Sequence, residues 1–255
     1  KNKKNIYIVG DSHLYGLSRM LKKHSVIENY NFYDFNASGC YYIHDFNQIH
    51  RFSKKIQSYC DKSTQNFRRN ELLSKKDSIV IIGGRLPLYL KNKRYDNLEG
   101  GKEANIEWFS FQNNEGVSVE DGVTNSINNL LENNLKVILI YPVPVPGWHI
   151  PKKVLDTYIW NRDNFESYLN DNPITTSYEN YKKYTKSSFK ILNNINHKNL
   201  FKIYPHKELC NNLVKDRCIT HDSKKVLYLD TNHLNVHGNE FILNQILKYI
   251  NNIEK

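Results

Sequence analysis

No stretch of this chain approaches the ~18 consecutive apolar residues that a membrane span needs. The longest apolar runs, Ser78–Ile82 and Val137–Val145, are strand-sized. The opening Lys1-Asn2-Lys3-Lys4 lacks the apolar core of a secretory signal. The chain is therefore expected to be an excised domain or mature form, whose missing part carries a signal or membrane anchor. No Cys-x-x-Cys pair occurs, which excludes a zinc ribbon. His44, His50, His149, His197, His206 and His221 are dispersed, with no ligand pair at helical spacing. His237 stands four residues after His233, but no Glu lies between them as a general base, so no metal is expected. Internal repeats are absent as well.

Acidic residues are the minority, 26 against 36 Lys and Arg, and the formal charge is +10. Such a balance favours polyanionic neighbours. Yet the lysines come as scattered doublets, such as Lys22-Lys23, Lys75-Lys76 and Lys182-Lys183, and not as one block. They read as solvated faces, and nucleic acid is not an expected partner. What the chain does have is core material: 39% hydrophobic and 13% aromatic residues, 18 of them Tyr. Disorder is excluded, and 255 residues suit a single α/β domain spanning 1–255.

The four cysteines fall into two sequence-local couples, Cys40 with Cys60 and Cys210 with Cys218. An even count so arranged suggests two disulfides and an oxidising compartment, against the alternative of four reduced thiols. Closing the Cys40–Cys60 loop would stabilise by about 3 kcal/mol in the chain-entropy picture.

Ile6–Val9 is a β-rich run stopped by Gly10, and Leu14, Leu17 and Leu21 follow at helical spacing. Strand, tight turn, helix opens a parallel α/β unit. Tyr30–Asn36, Ser78–Ile82, Lys136–Tyr141 and Leu200–Tyr204 read as further strands. Helices are expected at 44–59, 120–133, 153–169, 177–195 and 241–253. The polar stretch 91–121 reads as an insertion holding a small hairpin of 106–111 with 117–119, and 148–178 as a second insertion. The fold class is α/β, a three-layer α/β/α sandwich around a central parallel sheet of flavodoxin-like topology.

Chemistry concentrates at the two ends of the chain. In Gly10-Asp11-Ser12-His13, Ser12 follows a strand and starts a helix, where backbone N–H groups and the helix dipole stabilise negative charge. A serine there is either a nucleophile or a plain N-cap. In Asp230-Thr231-Asn232-His233, the Asp can share one turn with the His and reach its Nδ1–H. Tyr141, Trp148, Trp160 and the series Tyr178, Tyr181, Tyr184 could line a sugar platform, or the series could be a packing stripe on a helix.

Together these segments resemble the SGNH (GDSL-like) hydrolase superfamily, whose first block is Gly-Asp-Ser and whose last is Asp-x-x-His. The match is nearer still to the SGNH domains joined to integral-membrane acyltransferases that O-acetylate surface glycans. Ala37-Ser38-Gly39-Cys40 with Cys60 resembles that group's second block and its disulfide. Asp230-Thr231-Asn232-His233-Leu234-Asn235 resembles its last block, with Cys210 and Cys218 shortly before it. The resemblance implies Ser12 as nucleophile, His233 as general base and acid, and Asp230 as its orienter. It implies backbone oxyanion donors at Ser12 and Gly39. The superfamily's third block, Gly-x-Asn, is here Gly83-Gly84-Arg85, so Arg85 takes the place of an oxyanion asparagine. The implied activity is O-acyl, chiefly O-acetyl, transfer to a lipopolysaccharide or other surface glycan without a cofactor. A membrane acyltransferase domain would supply the acetyl group, and the chain would reside in a bacterial periplasm or at the cell surface, tethered to the inner membrane. A carbohydrate O-acetyl esterase and a non-catalytic glycan-binding module are the alternatives.

Overall fold

The computed structural model describes residues 3–103, 109–222 and 224–253. In chain order the strands are β1 (Lys4–Gly10), β2 (Tyr30–Asp34), β3 (Asn47–His50), β4 (Ile79–Gly83), β5 (Phe109–Gln112), β6 (Lys136–Ile140), β7 (Thr175–Ser177), β8 (Leu200–Ile203) and β9 (Arg217–Ile219). The α-helices are α1 (Tyr15–Lys22), α2 (Lys62–Leu73), α3 (Leu86–Lys91), α4 (Val119–Glu132), α5 (Ile150–Trp160), α6 (Phe165–Asp171), α7 (Tyr178–Asn194), α8 (Pro205–Leu209) and α9 (Val236–Ile253).

Five strands form the central sheet in the order β2-β1-β4-β6-β8, all parallel. Parallel strands buried on both faces must be apolar on both, and successive residues supply alternate faces. Ile6, Ile8, Ile79, Ile81, Ile138 and Ile140 face one way, onto Leu17 and Leu21 of α1 and Ile242, Ile246 and Ile250 of α9. Tyr7, Val9, Val80, Ile82, Val137 and Leu139 face the other way, onto Val123, Ile127 and Leu130 of α4 and Leu192 of α7. Each such aliphatic side chain, fully buried, contributes roughly 1.5–3 kcal/mol. The strand order reverses between β1 and β4, and in open α/β sheets the crevice at the strands' carboxyl ends there is where ligands bind. Ser12 stands at that point.

Three sequence expectations fail. Residues 44–59 are not a helix; they hold β3 and the short turn Ser58–Cys60. Asp45 and Lys54 take positive φ there, which no α-helix tolerates. The expected hairpin of 106–111 with 117–119 is also absent as drawn. Its residues 106–108 lie outside the described residues, but Phe109–Gln112 pairs antiparallel with β3. Val119 instead opens α4, capped by Ser118, whose hydroxyl accepts from the Asp121 N–H. The expected helix over 153–169 is two helices, α5 and α6, interrupted at Asn161.

The cysteines form the two disulfides Cys40–Cys60 and Cys210–Cys218. One histidine bears on stability. His206 packs among the rings of Tyr178, Tyr181, Phe189 and Tyr204. Burial, helped by Lys207, pushes its pKa down to about 4. The native imidazole thus stays neutral while the unfolded one, with a pKa of about 6.5, takes up a proton. Stability should therefore fall as pH drops from about 6.5 toward 4, since the unfolded chain binds more protons in that window. Denaturant midpoints measured across this range should flatten in His206→Phe; an unchanged slope would assign the acid sensitivity elsewhere.

Candidate active site

The end of β1 touches the end of β4, and the site is built on that approach. A side chain at Gly10 would collide with the Gly83 carbonyl, so only glycine lets the two backbones meet. Asp11, fully buried, then ties the first block to the third. Its Oδ1 accepts from the His13 N–H at 3.0 Å, capping the turn that carries Ser12. Its Oδ2 accepts from the Arg85 N–H at 2.8 Å and the Tyr89 hydroxyl at 3.0 Å. Gly84 lies against this carboxylate with φ of 135°, where a Cβ would come within 2.8 Å of it.

Ser12 Oγ lies 2.9 Å from His233 Nε2, and His233 Nδ1 lies 2.8 Å from Asp230 Oδ2. A carboxylate can only accept, so Nδ1 carries the proton and Nε2 is the acceptor turned to the serine hydroxyl. Asp230 Oδ1 accepts from the backbone N–H groups of His233 and Asn232, each at 2.8 Å. Burial would raise the Asp230 pKa, but the hydrogen bonds from His233 and Asn232 outweigh it and hold the carboxyl well below its usual range. The loop is fastened at its base, where Leu229 N–H donates to His233 C=O. Asn235 then starts α9, its Oδ1 accepting from the His237 and Gly238 N–H groups.

On the other side of Ser12, the Ala37 N–H donates to the Gly10 carbonyl, bringing the loop after β2 against the first block. Gly39 there takes φ of 66°, and its carbonyl accepts from the buried Gln48 amide. Cys40, next in sequence, is held by its disulfide. The structure thus brings Ser12, Asp230, His233, Gly39 and Arg85 to one edge of the sheet. Arg85, however, directs its Nη2 to Glu103 Oε2 at 2.5 Å, as an ion pair. Among the described residues, no three His, Cys, Asp or Glu side chains form a group that could hold a metal.

Three side chains beside the site escaped the sequence reading: His13, Asn232 and Glu103. His13 Nε2 lies 3.0 Å from Asn232 Oδ1, and Asn232 Nδ2 donates to Glu103 Oε1 at 2.7 Å. The positions of His13 and Asn232, inside the first and last blocks, were the available signal. Glu103 had none. The aromatic series divides by role: Tyr181 is buried with its hydroxyl on the Pro142 carbonyl, while the Tyr184 ring packs on Tyr95. Tyr141 is likewise buried, and Trp160 stands out in solvent.

A doubly wound parallel sheet with a Ser-His-Asp arrangement spread over its first and last blocks defines an SGNH-type α/β protein. Residues 1–248 match the family described as "SGNH domain (fused to AT3 domains)", and the chain belongs to that family. Its fold is similar to the periplasmic domain of a lipopolysaccharide acetyltransferase from Salmonella ser. Paratyphi A. That match has 18% identity and a TM-score of 0.53, over 98% of this chain and 85% of that one. It is also similar to an acetyl xylan esterase at 17% identity and a TM-score of 0.48, covering 96% and 99% of the two chains. A putative acylhydrolase from Bacteroides fragilis aligns at 14% identity and a TM-score of 0.44, over 100% and 90%. No curated protein matches.

Proposed function

We propose that this domain moves an acyl group, chiefly acetyl, onto a hydroxyl of a cell-surface glycan through an acyl-serine at Ser12. The observation that carries the reading is the unbroken chain of contacts from Ser12 Oγ through His233 to Asp230. In the first half-reaction Ser12 Oγ attacks the acyl carbonyl as its proton passes to His233 Nε2. The imidazolium then returns that proton to the leaving group. In the second half-reaction His233 takes the proton of a sugar hydroxyl, which attacks the acyl-serine and releases Ser12. The Ser12 and Gly39 N–H groups serve as oxyanion donors, with Arg85 at the edge of the same site. No step requires a cofactor.

Family membership supports a membrane acyltransferase domain as the donor, because this family is described by its fusion to AT3 domains. No helix among the described residues is long and apolar enough to cross a membrane. The two disulfides support placement in a periplasm or at a cell surface, beside an inner-membrane tether. Water in place of the sugar makes the same machinery an esterase.

With p-nitrophenyl acetate, wild type should release p-nitrophenol slowly and show an acetyl adduct on Ser12 by intact mass. Ser12→Ala and His233→Ala should each lose activity by about 10³-fold or more. Activity unchanged in Ser12→Ala would remove the nucleophile assignment. Adding candidate glycans then separates transfer from hydrolysis.

A further inference from the structure

A polar relay that the proposed chemistry does not use runs beside the site. Glu103, almost fully buried, has both carboxylate oxygens engaged. Oε2 accepts from Arg85 Nη2 and the Tyr95 N–H, and Oε1 accepts from Asn232 Nδ2. An amide nitrogen only donates, so Glu103 dictates which way round the Asn232 side chain sits. Asn232 Oδ1 is thereby turned to His13 Nε2, 3.0 Å away, and an oxygen there can only accept. The proton of His13 must therefore sit on Nε2, which leaves Nδ1 with its lone pair.

His13 also borders a small cavity, with room for about one water-sized group, between Gly84, Arg85, Pro142, Val143 and Tyr184. Its ring centre is 4.7 Å from that of His233. The charged and titratable groups around it are Arg85, His233, Asp230, Asp11 and, through Asn232, Glu103. Burial first, then the Arg85 and His233 charges, press its pKa well below the usual value against the opposing pull of Asn232 and Asp230. A second cation this near His233 would oppose formation of the imidazolium that turnover requires.

Resting on the acyl-serine reading above, we infer that Glu103 is a positioning residue: through Asn232 it holds the His13 proton on Nε2 and leaves Nδ1 to accept a hydroxyl of the carbohydrate. The segment between α3 and α4 thus sets the hydrogen-bonding character of a residue adjacent to the nucleophile. A hydroxyl next to the attacking one, seated in the cavity and donating to Nδ1, would orient a vicinal diol for transfer. Water cannot use both positions with one molecule, so the relay favours sugar over hydrolysis.

Long-range proton–nitrogen NMR of the whole chain reads the His13 tautomer directly. At pH 7 wild type should show a neutral ring protonated on Nε2; an imidazolium or an Nδ1–H ring would overturn the inference. In Glu103→Gln the amide keeps its oxygen toward Arg85 and Tyr95, and its nitrogen forces Asn232 to turn over. The Nδ1–H population should then rise by about tenfold or more. Asn232→Leu, which removes the relay and leaves Glu103 on Arg85, should release the tautomer in the same way. A tautomer unmoved in both variants refutes the lock. The acetyl-Ser12 adduct is next partitioned between glycerol and water. The glycerol share should drop by about fivefold or more in Glu103→Gln, and an unchanged share would refute the hydroxyl role. Failure to form the adduct would count against the acyl-serine reading alone, since the tautomer measurement needs no turnover.

Discussion

Asp230→Asn should lower turnover by about 10⁴-fold while leaving the fold intact. The asparagine oxygen can keep both backbone N–H bonds that Asp230 Oδ1 now accepts from Asn232 and His233, so the loop should hold its shape. Its amide nitrogen then faces His233 Nδ1, where the carboxylate oxygen stands in the native site. An N–H opposite that position favours the tautomer with Nδ1 bare and Nε2 protonated. Such a ring presents a donor to Ser12 and cannot take its proton. It also removes the negative charge that would stabilise the imidazolium. Thermal midpoint and circular dichroism should match wild type while kcat for p-nitrophenyl acetate collapses. A loss of less than about tenfold would mean that His233 is oriented by other contacts.

Gly10→Ala should be a folding lesion, destabilising by about 3 kcal/mol or more. The obstacle to the new methyl is the Gly83 carbonyl, which is backbone, with the Leu14 side chain behind it. Backbone cannot swing aside as a lysine tip can. Relief would require prising β1 from β4, and Gly10↔Gly83 is the last register pair of that ladder. The same movement would displace Asp11 from the Arg85 N–H and carry Ser12 away from His233. Soluble yield and denaturant midpoint check the first consequence. The second appears as activity lost beyond the loss of folded protein. A variant of native stability and native rate would show that the strand ends can separate at no cost.

The central sheet was legible because each of its inner strands is an apolar run closed by a local stop: Gly10 ending β1, Gly83 ending β4, Pro142 shortly after β6. Those signals are short-range. The misread segment 44–59 depends on a partner some sixty residues further along the chain, since β3 pairs with β5. Phe109-Ser110-Phe111-Gln112 does alternate aromatic and polar residues, but nothing within 44–59 announces that it is the partner. The same asymmetry divides the site. Ser12, Asp230 and His233 belong to two compact blocks whose internal spacing encodes their geometry. Glu103 sits in a polar stretch, and only the folded chain brings it to Asn232, 129 positions away.

Gly39, the proposed second oxyanion donor, directly precedes a half-cystine. Its loop is held on one side by Gln48 and on the other by the covalent link to Cys60. The three side chains from Ser12 to Asp230 owe nothing to that link, because they rest on β1 and the turn before α9. On the proposed reading, maturation would have two separable stages: folding of the sheet would assemble the proton relay, whereas thiol oxidation would fasten the loop that carries Gly39. A reduced chain would then carry its charge-handling residues in place with that loop held by hydrogen bonds alone.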